Sequence, residues 1–595
     1  MKSTLLSRRD LEFLLYEWLN VAALTEYPRY ADHSRETFDG MLELSAALAE
    51  REFRTHNRKN DLQEPHFDGA TVHIIPEVGQ ALTAFAQTGL IAAAMDEAVG
   101  GLQLPHTVHR ACFAWFQAAN IATSGYPMLT MGNANLLLAH GSPEQVRTYV
   151  EPMLAGRFFG TMCLSEPHAG SSLADLTTRA VPDGDGRYRI FGRKMWISGG
   201  DHELSENIVH LVLARVEGAR PGVKGLSLFV VPKYLVNPDG SLGARNDVAP
   251  AGLNHKMGFR GTTNTMLNFG EGAHLPEDGP GAIGYLIGAE NQGLAYMFHM
   301  MNEARIGVGT GAAALGYTGY LEALEYARTR PQGRPLGHKD PTAPQVPIVE
   351  HADVRRMLLA AKSYAEGGMA LALYAATLLD RSIADPDDAA RADAARLLDV
   401  LTPIVKSWPS QWGLAADDLA IQIHGGAGYT RDCNVEQHYR DNRLNPIHEG
   451  TYGIHGQDLL GRKVIADGGA GLGLLVAAIH RTIAAAPPEL DSHTEQLATR
   501  VDRLAEVTAA LWRDGDPAAA LANATVYLAA AGHVVVAWIW LEQARAAHGR
   551  TGPFYDGKRA AARYFFTYEL PTVDAQFDLL TSGDTQLLDL DPDCL

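Results

Sequence analysis

The sequence predicts a mostly α-helical protein with one β domain inserted between helical regions. Hydrophobic residues recur at helical spacing from residue 1 to about residue 160, and again from about residue 293 onward. Between them, from residue 159 to about 270, runs rich in Val, Ile and aromatic residues alternate with turn residues, which is typical of strands. A chain of 595 residues is too long for a single hydrophobic core, so three or four domains are expected.

These changes in residue pattern divide the chain into four segments. We predict an N-terminal helical domain over residues 1–158, an antiparallel β domain over 159–280, a helical domain over 281–465 and an Ala-rich helical extension over 466–595. Helices are expected within residues 11–19, 41–53, 78–85, 108–122, 143–154, 357–379 and 397–419. Residues 524–541 lack formal charge, but their Ala, Thr, Tyr and His content favours a buried helix over a membrane span.

Composition excludes several classes of function. The net charge of −19 argues against general binding to nucleic acid or to an anionic membrane, because both need a basic surface. The four cysteines are far apart and form no C-x-x-C pair, so we expect neither a disulfide framework nor a metal site. The N-terminus lacks the apolar run of a secretion signal, and a cytoplasmic location is expected.

One acidic residue, Glu449, stands in an unusual position. It lies between a loop broken by Pro446 and a helix that we expect to begin after Gly450, with Thr451 as its N-terminal cap. Backbone N–H groups at a helix start lack partners within the helix. They can hold the carbonyl oxygen of a substrate while the acid removes a neighbouring C–H proton. Taken alone, a solvated Glu at a helix start explains the same pattern.

Two segments at the start of the β region have the composition of a ligand-contacting surface. The Ser165 and Ser171 hydroxyls, with exposed backbone at Gly170, suit a polar ring edge and a phosphate. On the predicted strand 194–198, Trp196 alternates with Ile197, so one of the two faces a partner. An indole ring can cover a flat cofactor or lie in the core.

Three more segments suit ligands but would be ordinary structure if met singly. Residues 422–429 contain three glycines within four positions, without the spacing or context of a dinucleotide fingerprint, so a helix-ending turn is the alternative. Residues 302–305, placed at a helix start, and residues 326–334 present arginines that could bind a phosphate in bidentate fashion.

Together, these motifs resemble the acyl-CoA dehydrogenase family, in particular long bacterial members with a helical C-terminal extension. The motifs fall in family order: Ser165-Glu-Pro-x-Ala-Gly-Ser, Trp196-Ile-Ser-Gly, Lys256-Met-Gly-x-Arg260, Glu290-Asn-Gln-Gly293, Gln422-Ile-x-Gly-Gly and Tyr439-Arg-Asp…Glu449-Gly-Thr. The resemblance covers residues 40–465 through motifs and the extension only in character. It implies an N-terminal helical bundle, a middle β domain and a C-terminal four-helix bundle.

The resemblance also implies a cofactor and a set of site residues. Family members bind FAD and act on acyl-CoA thioesters. The positions that match FAD contacts are Met162, Leu164, Ser165, Ser171, Trp196, Ser198, Arg330, Gln332, Gln422, Gly425, Gly426 and Thr451. Those that match positions near the acyl-CoA are Ser171, Asn302, Arg305 and Gly450. Five of the residues that match FAD contacts also match positions that reach the FAD of a neighbouring subunit: Arg330, Gln332, Gln422, Gly425 and Gly426. A homo-oligomer is therefore implied, and we favour a dimer, with the extension covering a face that shorter relatives use to form tetramers.

The implied reaction is desaturation to the trans-2-enoyl-CoA. Glu449 would remove the α proton while flavin N5 takes the β hydride, and the electrons would pass to electron-transfer flavoprotein. An acyl-CoA oxidase that uses oxygen is the nearest alternative, and no motif decides between the two. A DNA-associated flavoprotein of the same fold and a catalytically silent scaffold are further alternatives. The sequence leaves the acyl chain open: fatty, branched, sulfur-containing or aromatic.

Overall fold

The computed structural model describes residues 3–184, 186–337 and 340–595, which fold into two compact units. Unit 1 contains the chain up to Asp39, Pro105–Ala118 and Arg305–Leu595, and unit 2 contains Gly40–Leu104 and Ala119–Ala304. The predicted order of helices, a β region, and helices again is confirmed.

The elements have the following bounds. The α-helices are α1 (Arg8–Glu12), α2 (Arg35–Leu48), α3 (Arg54–Leu62), α4 (Pro76–Ala86), α5 (His106–Ala119), α6 (Ile121–His140), α7 (Pro143–Gln145), α8 (Glu151–Leu154), α9 (Gly293–Thr329), α10 (Ala352–Ala384), α11 (Asp388–His424), α12 (Val435–Asn442), α13 (Tyr452–Asp458), α14 (Ala470–Ala484), α15 (Asp491–Leu511), α16 (Pro517–Leu521), α17 (Ala524–Ala546), α18 (Pro553–Tyr564), α19 (Val573–Thr581) and α20 (Gln586–Asp589). The strands are β1 (His66–Phe67), β2 (Val72–His73), β3 (Phe158–Cys163), β4 (Arg179–Pro182), β5 (Arg187–Ser198), β6 (Asn207–Val216), β7 (Leu226–Pro232), β8 (Tyr234–Val236), β9 (Leu242–Arg245), β10 (Val248–Leu253), β11 (Asn264–Phe269) and β12 (Ala282–Leu286).

The main sheet of unit 2 is mixed, whereas we expected an antiparallel one. Its order is β10-β11-β5-β12-β7-β6-β3, with β4 beside β5 and β6. Strand β3 runs parallel to β6, and so does β4. A parallel pair needs a long crossover, and here the chain passes through β4 and β5 between β3 and β6. The sheet is buried on both faces, because Leu211 and Leu213 on β6 enter one apolar cluster while Val212 and Ala214 enter the other.

Two details of the helical prediction were wrong. The helix expected over residues 108–122 is interrupted, because Asn120 ends α5 and its side chain accepts the Thr123 backbone N–H at 3.0 Å as the cap of α6. Asn302 and Arg305 do not lie at a helix start. They lie inside α9, which begins at Gly293, because periodicity alone does not mark where a helix begins.

Unit 1 consists of long helices that bury an apolar helix of the extension. Helices α10 and α11 pack side by side, and α17 packs against both of them and against α13, α18 and α19. Within the described ranges, helix α17 is long and apolar enough to cross a membrane. However, 83% of its most apolar 18-residue stretch is buried inside the protein. This burial agrees with the interpretation of residues 524–541 as a core helix.

A buried cluster of charges joins the extension to the rest of unit 1. It consists of Asp10 on α1, Lys362 and Glu366 on α10, and Lys558 on α18, and we call it the extension cluster. The Lys558 side chain is 0% exposed; its Nζ pairs with Asp10 and with Glu366, the latter at 2.8 Å. Lys362 also pairs with Glu366. Because buried charges are stable only when paired, these contacts fix how α18 packs on α1 and α10.

Candidate active site

Glu449 lies in a turn with an unusual backbone. Helix α12 ends at Asn442, and α13 begins at Tyr452, directly after Thr451 as predicted. In the described part of the chain, however, the Thr451 hydroxyl accepts no hydrogen bond from a backbone N–H of this helix. Glu449 has a φ of +53° and Gly450 a φ of +101°. A left-handed conformation costs a non-glycine residue about 1–3 kcal/mol, so other contacts must hold this turn.

Hydrogen bonds from two other elements hold the carbonyl groups of this turn. His455 Nε2, on α13, lies 3.0 Å from the Glu449 carbonyl oxygen, which requires the tautomer with the proton on Nε2. Lys406 Nζ, on α11, donates to the Gly450 carbonyl oxygen at 2.6 Å. The peptide groups that follow Glu449 and Gly450 are therefore both held by residues outside the turn.

The Glu449 carboxylate lies among buried charges. Burial raises its pKa, while the positive charges of Arg305 and Lys406 act in the opposite direction. Arg305, which the family resemblance predicts to lie near the acyl-CoA, is buried and donates through Nη1 to Asp458 Oδ2 at 3.1 Å. The arrangement yields a carboxylate more basic than an ordinary Glu.

A second group of predicted residues lies together in unit 2. Ser165 and Trp196 come close because the Met195 backbone N–H donates to the Ser165 carbonyl oxygen at 2.9 Å. Trp196 is 59% exposed, whereas its neighbour Ile197 is only 2% exposed. Trp196 also has a φ of +65°. A bulky residue held in this conformation with its ring exposed indicates a binding surface.

The rim of that surface is polar, and its inner part is apolar. Leu164 is buried, Met162, Ser165 and Ser198 are half-buried, and Ser171 is exposed. A flat apolar ring bordered by hydroxyl groups and backbone fits the shape and chemistry of an isoalloxazine, which has two apolar faces and a polar edge. The residues present in unit 2 therefore fit FAD.

A buried ion pair, which the sequence did not lead us to single out, supports this surface. Lys194 Nζ lies 3.1 Å from Glu166 Oε1, and both side chains are almost completely buried. Lys194 also donates to the Leu164 carbonyl oxygen at 2.9 Å. Burial opposes ionisation of Glu166, but Lys194 and hydrogen bonds from Thr177 and residue 178 lower its pKa to about 2. The pair ties the 164–178 loop to β5, the strand that presents Trp196.

The five residues predicted to reach a neighbouring subunit's cofactor lie at one end of unit 1. The Tyr326 and His424 rings stack with centroids 4.3 Å apart, which brings the C-terminal ends of α9 and α11 together. Gly425, with a φ of +60°, ends α11 as expected of a helix-ending turn. All five side chains or glycines are exposed: Arg330, Gln332, Gln422, Gly425 and Gly426.

The predicted residues thus fall into separate groups in the two units. Unit 1 contains Glu449, Gly450, Thr451, Arg305 and the α9/α11 end. Unit 2 contains Asn302 and the residues around Trp196. The sequence analysis did not identify Lys406 as a site residue, because a single Lys within an apolar run does not indicate that it is buried. The apolar run between Pro403 and Pro409 was the only sequence signal of its burial. Among the described residues, no group of three or more His, Cys, Asp or Glu side chains could hold a metal ion.

Unit 1 contains an acid in a strained turn, unit 2 contains a surface that fits a flavin, and the helical, β, helical order is the one that the sequence resemblance implies. Comparison with family models agrees across the chain. Residues 39–157, 161–271 and 291–463 match the N-terminal, middle and C-terminal domains of acyl-CoA dehydrogenase, and residues 475–591 match the acetyl-CoA dehydrogenase C-terminal-like domain. The chain belongs to the acyl-CoA dehydrogenase family, whose members are FAD-dependent enzymes, and the resemblance seen in the sequence is confirmed.

Individual relatives agree with this assignment. The chain is 38% identical to 3-methylmercaptopropionyl-CoA dehydrogenase of Ruegeria pomeroyi, over 82% of this chain and 83% of the relative. It is 35% identical to the broad-specificity linear acyl-CoA dehydrogenase FadE5 of Mycobacterium tuberculosis, over 98% of both. Caenorhabditis elegans ACDH-11 in complex with C11-CoA shares the fold, with a TM-score of 0.74 at 20% identity over 96% of this chain and 93% of that one. An acyl-CoA dehydrogenase from Bacillus anthracis complexed with FAD gives a TM-score of 0.73 at 17% identity over 95% and 93%.

Proposed function

We propose that this chain converts an acyl-CoA thioester to the trans-2-enoyl-CoA, with Glu449 as the base that takes the Cα proton. The observation that supports this role is the Glu449 turn: a carboxylate on a strained backbone, held by His455 and Lys406, in a chain of the acyl-CoA dehydrogenase family. These contacts hold the backbone from which the Glu449 carboxylate projects, and proton transfer requires such a fixed geometry.

The residues of the turn account for the difficult part of the chemistry. An ordinary Cα proton is too weakly acidic for a carboxylate, so the thioester carbonyl must be polarised, and we assign this to the Glu449 backbone N–H. Burial makes Glu449 a stronger base than usual, and the acyl chain would exclude water further. Bound FAD supplies the acceptor for the hydride that leaves Cβ.

The remaining predicted residues receive binding roles. We assign Met162, Leu164, Ser165, Trp196 and Ser198 to the flavin ring. Ser171 and Thr451 are assigned to the rest of the cofactor, with Ser171 also near the acyl-CoA, and Asn302, Arg305 and Gly450 to the acyl-CoA side of the site. The exposed α9/α11 end is assigned to the FAD of a second copy of the chain, which makes the active enzyme a homo-oligomer, with a dimer favoured.

For the substrate we propose an unbranched acyl chain. The support is that the two relatives described above, a linear acyl-CoA dehydrogenase and a 3-methylmercaptopropionyl-CoA dehydrogenase, have named substrates with an unbranched chain. We propose electron-transfer flavoprotein as the acceptor and the cytoplasm as the location.

Anaerobic titration of the purified holoenzyme with a panel of thioesters tests this function. Butyryl-, octanoyl- and 3-(methylthio)propionyl-CoA are expected to bleach the flavin absorbance, and isobutyryl-CoA to do so poorly. Slow reoxidation in air, with rapid reoxidation by electron-transfer flavoprotein, is expected of a dehydrogenase. Rapid reoxidation by air with peroxide would instead identify an oxidase, and a flavin that no thioester bleaches would refute the proposal.

Replacing Gly450 should damage the turn without removing the base. A Cβ at Gly450 would lie 2.8 Å from His455 Nε2, and the φ of +101° disfavours any other residue. Because His455 holds the Glu449 carbonyl, the G450A variant should move the carboxylate and slow flavin reduction by about 10²-fold. Stopped-flow absorbance measures this rate, and flavin content should stay at one per chain.

Gly453 provides the matched control for that variant. It lies one turn away in α13, where the nearest atom to an added Cβ is Thr451 Oγ1 at 3.9 Å. G453A should therefore keep the wild-type rate. Equal rates for G450A and wild type would show that the geometry of this turn does not matter for turnover.

A further inference from the structure

Lys406 is a buried cation directly beside the Glu449 turn. It lies in α11 between Pro403 and Pro409 and is 0% exposed. Its amine reaches out of the helix to the Gly450 carbonyl oxygen, 2.6 Å away. A lysine is almost never fully buried unless it is paired, so its position requires a partner for its charge as well as for its hydrogen.

Glu449 is the acid whose negative charge acts on Lys406. The titratable and charged groups around the turn come from three elements: Arg305 on α9, His448 and Glu449 in the loop, and His455 and Asp458 on α13. Arg305 pairs with Asp458. The positive charges of Arg305 and Lys406 both act to lower the pKa of Glu449. Burial lowers the pKa of both histidines to about 3, so they are neutral at physiological pH and contribute no charge.

Lys406 also titrates in an unusual range. Burial lowers its pKa to about 7, with Glu449 opposing the shift and Arg305 adding to it. Its charge therefore changes near neutral pH, whereas its hydrogen bond to Gly450 can persist in the neutral amine.

We propose that Lys406 is a positioning residue for Glu449. Through the Gly450 carbonyl it fixes the left-handed turn, and through its charge it favours the ionised carboxylate that can accept the Cα proton. This inference rests on the proposed function, because it gives Lys406 a role only through Glu449. A purely structural lysine would hold the turn without influencing the protonation of Glu449.

Three substitutions separate the hydrogen bond from the charge. Lys406→Gln retains a donor without charge, Lys406→Met has neither, and Lys406→Arg retains both. The rate of anaerobic flavin reduction by the best thioester of the panel is measured for each from pH 5 to pH 9, with flavin content and melting temperature as controls. Lys463→Met serves as the matched control, since Lys463 pairs with Asp399 away from the turn.

In the plot of flavin-reduction rate against pH, the charge of Lys406 should determine the pH at which the rate falls on the acid side, which we call the acid limb. The hydrogen bond should determine the maximum rate, the plateau. Without the cation Glu449 ionises at higher pH, so the acid limb should move up by about one pH unit in Lys406→Gln and Lys406→Met. The plateau rate should fall by about tenfold in Lys406→Met and by less in Lys406→Gln, because only Lys406→Met lacks a hydrogen-bond donor. Lys406→Arg should return the acid limb toward its wild-type position, and Lys463→Met should change neither the limb nor the plateau.

An infrared titration reads the same coupling without turnover. The protonated-carboxyl band that disappears in Glu449→Gln should have a higher midpoint pH in Lys406→Gln than in the Lys406 parent. An acid limb that stays unchanged in Lys406→Gln and Lys406→Met, together with an unchanged infrared midpoint, would overturn the inference. If no thioester reduces wild-type flavin, or if Glu449→Gln reduces it normally, the proposed function fails instead, while the infrared midpoint still decides whether Lys406 controls Glu449. If Lys406→Met does not accumulate as folded protein, the acid limbs of Lys406→Gln and Lys406→Arg test the inference.

Discussion

The Glu449→Gln variant is expected to bind FAD as the wild type does and to reduce it at least about 10³-fold more slowly. Gln is almost the same size as Glu, so the turn and its contacts to His455 and Lys406 should remain. An amide, however, cannot accept a proton from carbon. The first-order rate of anaerobic flavin bleaching after mixing with an acyl-CoA measures the effect.

Glu436 supplies the control for this substitution. It lies on α12, in the same unit, and pairs with Arg440 at 2.6 Å. Glu436→Gln removes one carboxylate and should leave the bleaching rate within about threefold of wild type, because no step of the mechanism uses it. A Glu449→Gln enzyme of normal rate would mean that another group takes the proton.

The largest effect on stability is expected from Lys558→Met in the extension cluster. The substitution removes the cation that pairs with Asp10 and Glu366 but leaves both acids buried. Breaking a buried ion pair from one side costs about 3–5 kcal/mol. Because Lys558 joins α18 to α1 and α10, the loss should appear as faster hydrogen exchange in α17 and α18, measured by mass spectrometry.

A second substitution distinguishes unpaired charge from lost packing. Lys362 still pairs with Glu366 in Lys558→Met, so Asp10 is the acid left without a cation. Adding Asp10→Asn should recover more than half of the lost protection. Arg503→Met, at an exposed ion pair with Asp578 in the same extension, should cost less than about 1 kcal/mol. An Asp10→Asn change that adds to the loss would contradict the electrostatic explanation.

The parts of the fold with local signals could be predicted from the sequence. Apolar spacing is sufficient for α10, α11 and α17, and Pro446 and Gly450 mark the loop around Glu449. The start of α13 after Thr451 was also predictable, even though its hydroxyl makes no cap among the described residues. Turn and helix signals depend on neighbouring residues, which a sequence shows directly.

Features set by distant contacts could not be predicted. The parallel pairing of β3 with β6 depends on a crossover, and a strand's own pattern does not name its partner. Trp196 has a positive φ against its intrinsic preference, so only the surrounding fold explains it. The burial of Lys194, Lys406 and Lys558 follows from acids far away in the chain, which a charge in an apolar run does not reveal.

The mass of the thioester after a single anaerobic turnover tests the central claim most directly. The wild-type holoenzyme is mixed with excess butyryl-CoA without an electron acceptor, and the flavin absorbance and the thioester mass are recorded together. The account predicts one product thioester, two hydrogens lighter than the substrate, for each flavin that is bleached. A bleached flavin with an unchanged thioester, or hydrolysis to free coenzyme A without bleaching, would contradict it.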